Sequence, residues 1–228
     1  MSERSSRTAK RKASRILLVD DHPMIRERLA EVIQREPDLV VCGEAESRHS
    51  ALAAVPATQP DLAIVDLTLK DSHGLDLIKD LRVTHPGVLI LVVSMHDDSL
   101  HAERVIHAGA QGYITKQEAT KNILLAIRTV LANEIYLSDK IALRIAWKIT
   151  GRDPAQSGPA INKLTDRELR VLELIGQGHG TRQIASILRL GVPTIETYRA
   201  RIKDKLRLKD ANELRQYAIG LTQTGGAR

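Results

Sequence analysis

RILLVDDHPMIRERLAEVI, residues 15–33, is the stretch whose reading decides the fold. It opens on an aliphatic run, Ile16 to Val19, of the kind that is too short and too branched to make a good helix. Two aspartates, Asp20 and Asp21, close the run. Pro23 then suits the first turn of a helix, and Ile25, Leu29, Val32 and Ile33 recur along one side of it. A buried strand, a polar end and an amphipathic helix form the repeating unit of a parallel α/β sheet.

Working outward, the unit recurs. Further apolar runs stand at 39–45 (LVVCGEA), 62–67 (LAIVDL), 88–94 (VLILVVS) and 112–115 (GYIT). Nearly continuous apolar runs suit strands covered on both faces. Between them lie helical patterns, as at 119–132 with Ile123, Leu124, Ile127, Val130 and Leu131. The expectation is an α/β doubly wound, five-stranded parallel sheet of flavodoxin-like kind, with about five helices and ligands beyond the carboxyl ends of the strands.

Residues 138–149 read as one more helix, a connector. The segment 150–163, TGRDPAQSGPAINK, has two Gly, two Pro and no apolar period, and reads as a linker. From Leu164 the pattern is helical throughout. Thr165 and Glu168 have the spacing of a capping box, and Gly176, Gly178, Gly180 and Gly191 mark turns. Four short helices in about 60 residues imply a small all-α bundle. The expected divisions are a disordered basic tail at 1–14, an α/β unit at 15–134, a connector at 135–163 and a helical unit at 164–228.

Charge divides along the same lines. Residues 1–15 carry six basic side chains against Glu3, a balance of +5. Residues 16–160 hold 15 basic and 20 acidic side chains, a balance of −5, whereas 161–228 hold 13 and seven, a balance of +6. An acidic front and a basic end suggest different partners, with nucleic acid for the latter. No uncharged apolar run approaches the ~18 residues of a membrane span, and the tail lacks the apolar segment of a secretory signal. Cys42 is the only cysteine, so no intrachain disulfide forms. These features fit a cytoplasmic protein with no membrane partner.

The strand ends carry the chemistry. Asp20 and Asp21 end the first strand, Asp66 the third and Ser94 the fourth, and Lys116 follows the fifth. In a parallel sheet these ends share one edge, so the residues converge. Taken singly each has a plainer reading, such as Asp21 as a helix cap or Lys116 as a solvated surface cation. Together, three carboxylates repel unless a cation is present. Mg²⁺ answers that need, because it uses few carboxylates and retains water or phosphate. Lys116 and Ser94 suit phosphoryl oxygens, and an Asp can act as nucleophile.

LLVDDHPMIR, IVDLTLKDSHGLDLI, LVVSMHDD and GAQGYITK make residues 15–132 resemble the receiver domain of bacterial response regulators. The resemblance implies a phosphoacceptor at Asp66. It implies Mg²⁺ (or Mn²⁺) held by Asp21, Asp66 and the main-chain carbonyl of Thr68, with Asp20 assisting through water. It implies phosphoryl contacts from Ser94 and Lys116 and an aromatic switch at Tyr113. Lys70 departs from the Pro usual four residues after the acceptor. Thr68 and His96 occupy positions that tune phosphate lifetime in the family.

LTDRELRVLELIGQGHGTRQIASIL and TIETYRARIKDKL make residues 164–221 resemble the LuxR-type helix-turn-helix of the NarL/FixJ class. The resemblance implies a recognition helix at about 193–206. Helical spacing turns Ile195, Tyr198, Ile202 and Leu206 inward. It leaves Thr194, Glu196, Thr197, Arg199, Ala200, Arg201, Lys203 and Lys205 as candidate DNA contacts. Gly191 replaces a common Ser cap and Pro193 lies in the first turn, both compatible with a helix start.

The function these readings imply is a phosphorylation-controlled transcriptional regulator, not an enzyme. A sensor histidine kinase would supply the phosphoryl group, and the phosphorylated protein would bind DNA as a homodimer. One rival is an aspartyl-phosphate phosphatase, but such enzymes place a second Asp two residues after the nucleophile, where this chain has Thr68. Another is a binding module that is never phosphorylated.

Overall fold

The computed structural model describes residues 13–69, 72–95, 99–149 and 160–224. The expected tail (apart from its last two residues), most of the linker, Lys70 and His96 lie outside them.

Five parallel strands make the main sheet: β1 (Ser14–Val19), β2 (Leu39–Ala45), β3 (Leu62–Asp66), β6 (Leu89–Ser94) and β7 (Gly112–Thr115), in the order β2-β1-β3-β6-β7. Two residues each form a small antiparallel hairpin, β4 (Thr68–Leu69) with β5 (Ser72–His73), directly after β3. The helices of this unit are α1 (Pro23–Gln34), α2 (Arg48–Thr58), α3 (Gly74–Thr84), α4 (Ser99–His107) and α5 (Lys116–Leu131).

The continuous apolar runs have their explanation in two separate cores. Leu17, Val19, Ala63, Val65, Ile90 and Val92 point to one face, where α2, α3 and α4 bury Val55, Leu77, Leu81 and Val105. The alternate residues Ile16, Leu18, Leu62, Ile64, Leu91 and Val93 point to the other, against Leu29 and Ile33 of α1 and Ile123 and Ile127 of α5. A strand covered on both sides has no polar face to display. Every residue of β3 is buried.

Local signals fix the helix starts. Pro23 opens α1. Thr115 accepts from the Glu118 amide while Glu118 answers the Thr115 amide, which sets the start of α5 one residue past β7.

The helix read at 138–149 is α6 (Asp139–Ile149). Ile141 is buried in the α/β core, with Leu137 and Ile145 packed against it, so α6 lies on this unit. The helical end consists of a short 3₁₀ turn (Ala160–Lys163) followed by α7 (Asp166–Gly176), α8 (Thr181–Leu188), α9 (Val192–Leu206) and α10 (Ala211–Thr224). It has its own core, centred on Leu172, Ile184, Ile195, Ile202 and Leu214. Thr165 and Glu168 form the capping box at the start of α7.

Candidate functional site

Strand register assembles the pocket. Val19 pairs with Val65, so Asp20, just past the end of β1, and Asp66, the last residue of β3, lie side by side. Asp66 pairs with Val93, and Ser94 follows it. Ser94 pairs with Thr115, and Lys116 follows that. Residues up to 96 positions apart thus meet at one edge. The chain then turns sharply beneath them: the Gly74 amide donates to the Leu67 carbonyl at 2.8 Å. A Cβ on Gly74 would fall 2.2 Å from the Asp66 carbonyl oxygen, so only glycine fits.

Asp20, Asp66, Ser94 and Tyr113 are all buried. Lys116 Nζ donates to Asp20 Oδ2 and to Asp66 Oδ2, at 2.8 Å each. The Thr68 amide donates to Asp66 Oδ1 at 3.3 Å. Burial pushes the Asp66 carboxyl up to about 6; Lys116 pulls against this and the Asp20 charge adds to it. On Lys116 burial acts downward, but the two carboxylates outweigh it and hold the ammonium above its ordinary value. The pocket therefore holds a carboxylate close to neutrality at mild acid pH and a cation that stays charged.

The donor set fits a divalent cation. Ligand atoms of Asp20, Asp21, His22 and Asp66 all lie within 4.8 Å of one another. Asp21 Oδ1 is shut off from solvent and accepts no well-formed hydrogen bond, with only the His22 Nδ1 ring nitrogen at 2.8 Å. A buried carboxylate oxygen without a donor suits a hard cation.

The second candidate surface is α9. Ile195, Ile202 and Leu206 face the helical core, and Tyr198 is half-buried against it. Thr194, Glu196, Thr197, Ala200 and Arg201 are exposed. Arg199 and Lys203 are half-buried. The Thr197 hydroxyl donates back to the Pro193 carbonyl at 3.0 Å. Lys205 is already engaged: its Nζ donates to Glu168 Oε2 at 2.6 Å, and Glu168 is itself buried. Gly191 occupies the N-cap of α9 and Pro193 its first turn.

Comparison with known proteins gives two family matches. Residues 16–128 match the response regulator receiver domain, and residues 162–218 match the bacterial regulatory proteins of the luxR family. The oxygen regulatory protein NreC of Staphylococcus carnosus is 31% identical over 90% of this chain and 96% of its own length. The chain belongs to the LuxR-family response regulators. Among the regulator's other relatives is the DNA-binding transcriptional activator DevR/DosR of Mycobacterium tuberculosis, 30% identical over 92% of this chain and 96% of that one. A LuxR-family two-component response regulator from Aurantimonas sp. shares 34% identity over 61% of this chain and 99% of that one, with a TM-score of 0.57. RcsB from Salmonella enterica serovar Typhimurium, solved bound to a promoter, has the same fold: TM-score 0.70 over 92% of this chain and all of that one, at 21% identity.

Two residues of the regulator's pocket escaped the sequence reading. His22 Nδ1 lies 3.1 Å from Asp20 Oδ1 as well as 2.8 Å from Asp21. Arg26, one turn into α1, donates to the Asp20 main-chain carbonyl at 2.5 Å and to Glu44 at 3.1 Å. Adjacency to the aspartate pair was the available signal for His22. Arg26 gave none, because its position depends on how α1 leaves the strand end.

Proposed function

We propose that Asp66 is the phosphoacceptor of this regulator and that its state governs DNA binding through α9. The observation that carries the reading is the position of Asp66: buried at a strand end, with Asp20 beside it and Lys116 bridging the two. A carboxylate oxygen of Asp66 attacks the phosphorus of a phosphohistidine on a sensor kinase, and the bond from phosphorus to the histidine nitrogen breaks. Asp20, Asp21, Asp66 and the main-chain carbonyl of Thr68 would hold Mg²⁺ or Mn²⁺. When bound, the ion neutralises the phosphoryl oxygens. Lys116 leaves Asp20 to pair with a phosphoryl oxygen, the Ser94 hydroxyl donates to another, and Tyr113 follows the movement of Ser94.

Thr68 stands two residues beyond Asp66, where a phosphatase would place its acid, so the pocket serves as a switch. Thr194, Glu196, Thr197, Arg199, Ala200, Arg201, Lys203 and Lys205 form the DNA surface, Glu196 and Thr197 reading bases and the cations meeting phosphates. A single small recognition helix offers limited base contact, which favours a phosphorylation-induced homodimer on paired half-sites. The divisions that match this reading are a receiver at 15–134, a connector at 135–163 and a DNA-binding unit at 164–228. Among the described residues no helix is long and apolar enough to cross a membrane, which accords with a cytoplasmic location.

The test is an intact-mass measurement after incubation with Mg²⁺ and a small acyl phosphate. The expected result is a gain of one phosphoryl group that is absent in Asp66→Ala. A gain that persists in Asp66→Ala would overturn the assignment.

A further inference from the structure

Charged groups also gather away from the pocket and α9, where α7 of the DNA-binding unit meets α3 and α4 of the receiver. Among the described residues four pairs of opposite charge cross this surface. Arg104 Nη1 donates to Asp166 Oδ1 at 2.7 Å, and its Nη2 donates to the Leu164 carbonyl at 2.5 Å. Lys79 Nζ donates to Asp166 Oδ2 at 2.6 Å. Arg167 Nη2 lies 3.1 Å from Asp76 Oδ2. The fourth pair is the buried one: His101 Nε2 lies 2.7 Å from Glu173 Oε1, with side chains 7% and 9% exposed. The other Glu173 oxygen accepts from Arg170 Nη1 at 3.1 Å.

A carboxylate in such a place is tolerable only when both oxygens are well paired. Burial alone would raise the Glu173 carboxyl, but His101, hydrogen-bonded to it, and the Arg170 guanidinium outweigh it and hold the group well below the usual carboxylate range. Beside a protonated His101 Glu173 therefore stays ionised, and an imidazole is the side-chain type whose ordinary range lies near neutrality.

We propose that His101 and Glu173 form a proton-dependent latch, so that the receiver holds the DNA-binding unit more tightly when His101 carries a proton. The surrounding charges set the sign. From α7, His101 faces the Glu173 carboxylate, which is itself paired with the Arg170 guanidinium, and it lines one small cavity together with Asp166. From α4 it has Arg104 beside it, and from α3 come Lys79, Asp76 and the cap residue His73. Loss of the imidazole proton removes a positive charge from α4 opposite two carboxylates, and leaves Glu173 with Arg170, which belongs to its own helix. His73 does not supply the effect. Its Nδ1 accepts from the Leu75 amide at 3.2 Å, so protonation there would cost α3 its cap.

The docked arrangement leaves Thr194, Glu196, Thr197, Ala200 and Arg201 exposed. The latch therefore controls where the DNA-binding unit is held, not whether its reading face is covered. It asks nothing of Asp66 and gives the protein a second input, acidity, beside the phosphoryl group.

Small-angle scattering on the full chain between pH 5.5 and 8.5 tests this. The wild type is expected to be compact at the acid end and to expand in one titration step as pH rises. His101→Lys keeps a permanent charge and should stay compact throughout. His101→Gln and Glu173→Gln should each give a flat, expanded profile, with far-ultraviolet circular dichroism showing that the fold is kept. A wild-type radius that does not change with pH, or a His101→Gln protein that still titrates, would overturn the latch. Asp66→Ala should retain the wild-type pH response; its loss would count against the latch. A failure of phosphorylation with the pH response intact would count against the proposed function alone.

Discussion

The strand-end pocket proposed to accept a phosphoryl group and the helix proposed to read DNA, α9, solve opposite problems. The pocket draws Asp20, Asp66, Ser94 and Lys116 from four strand ends and buries three of them completely or nearly so. Its groups are tied to one another, with Lys116 at 2.8 Å from two carboxylates. The exposed face of α9 is built from successive turns of one helix and stands in solvent. The difference teaches what each can do. Interlocked buried charges respond as a unit, which suits a switch. Separate exposed side chains contribute one by one, which suits reading a sequence.

That contrast can be broken by substitution. The largest effect should come from Lys116→Ala, which leaves Asp20 and Asp66 buried together without their cation. A loss of about 3–5 kcal/mol is expected at pH 8 in the absence of divalent cations. The loss should shrink at pH 5, where Asp66 takes up a proton. Urea unfolding at the two pH values measures both; equal losses would mean that the carboxylates are not coupled through Lys116.

Asp66→Asn should act in the other direction. The Asp66 carboxyl is raised to about 6 in the fold, above the value of about 4 expected in the unfolded chain. Its ionisation therefore destabilises the fold, with the cost growing as pH rises from about 4 to 6 and complete above that. The amide should stabilise the protein by about 1–3 kcal/mol at pH 8 and by almost nothing near pH 4. Destabilisation at pH 8 would show that the Lys116 pair outweighs burial.

On α9 the effects should be independent of one another. Glu196→Ala and Thr197→Ala should each change base preference, with losses of about 1–3 kcal/mol per specific contact. A selection from random DNA with each variant checks this, and an unaltered preference would remove α9 from its reading role. Lys203→Ala should weaken all sequences alike and lower the salt slope by about one unit. Lys205→Ala should in addition lower stability, because Lys205 also neutralises the buried Glu168. If the two lysines behave identically in unfolding experiments, the Glu168 contact contributes nothing.

What was legible in the sequence follows the same division. The strands could be read because burial on both faces leaves unbroken apolar runs such as Leu62–Val65. The pocket could be read because parallel strands bring their carboxyl ends to one edge, so position in the run stood in for position in space. The β4–β5 hairpin was not legible, since two residues per strand are too few for any period. The period of α6 was visible, but not the surface on which it packs. Lys205 reads from the sequence as a candidate DNA contact, and only the fold brings Glu168, 37 residues earlier, within 2.6 Å. Arg170 and Glu173 look like the solvated side of α7. They are buried because α4 lies against them, and nothing near them in the sequence announces a neighbour 72 residues away.

The central claim joins the two regions: the phosphoryl group on Asp66 governs what α9 does. The most direct measurement is the affinity of the full chain for its selected DNA site, at fixed salt and pH, with and without Mg²⁺ and a small acyl phosphate. The account predicts that the phosphodonor tightens binding of the wild type, with two chains per site, and leaves Asp66→Ala unchanged. Equal affinity with and without the donor in a chain shown by mass to be phosphorylated, or tightening that persists in Asp66→Ala, would contradict it.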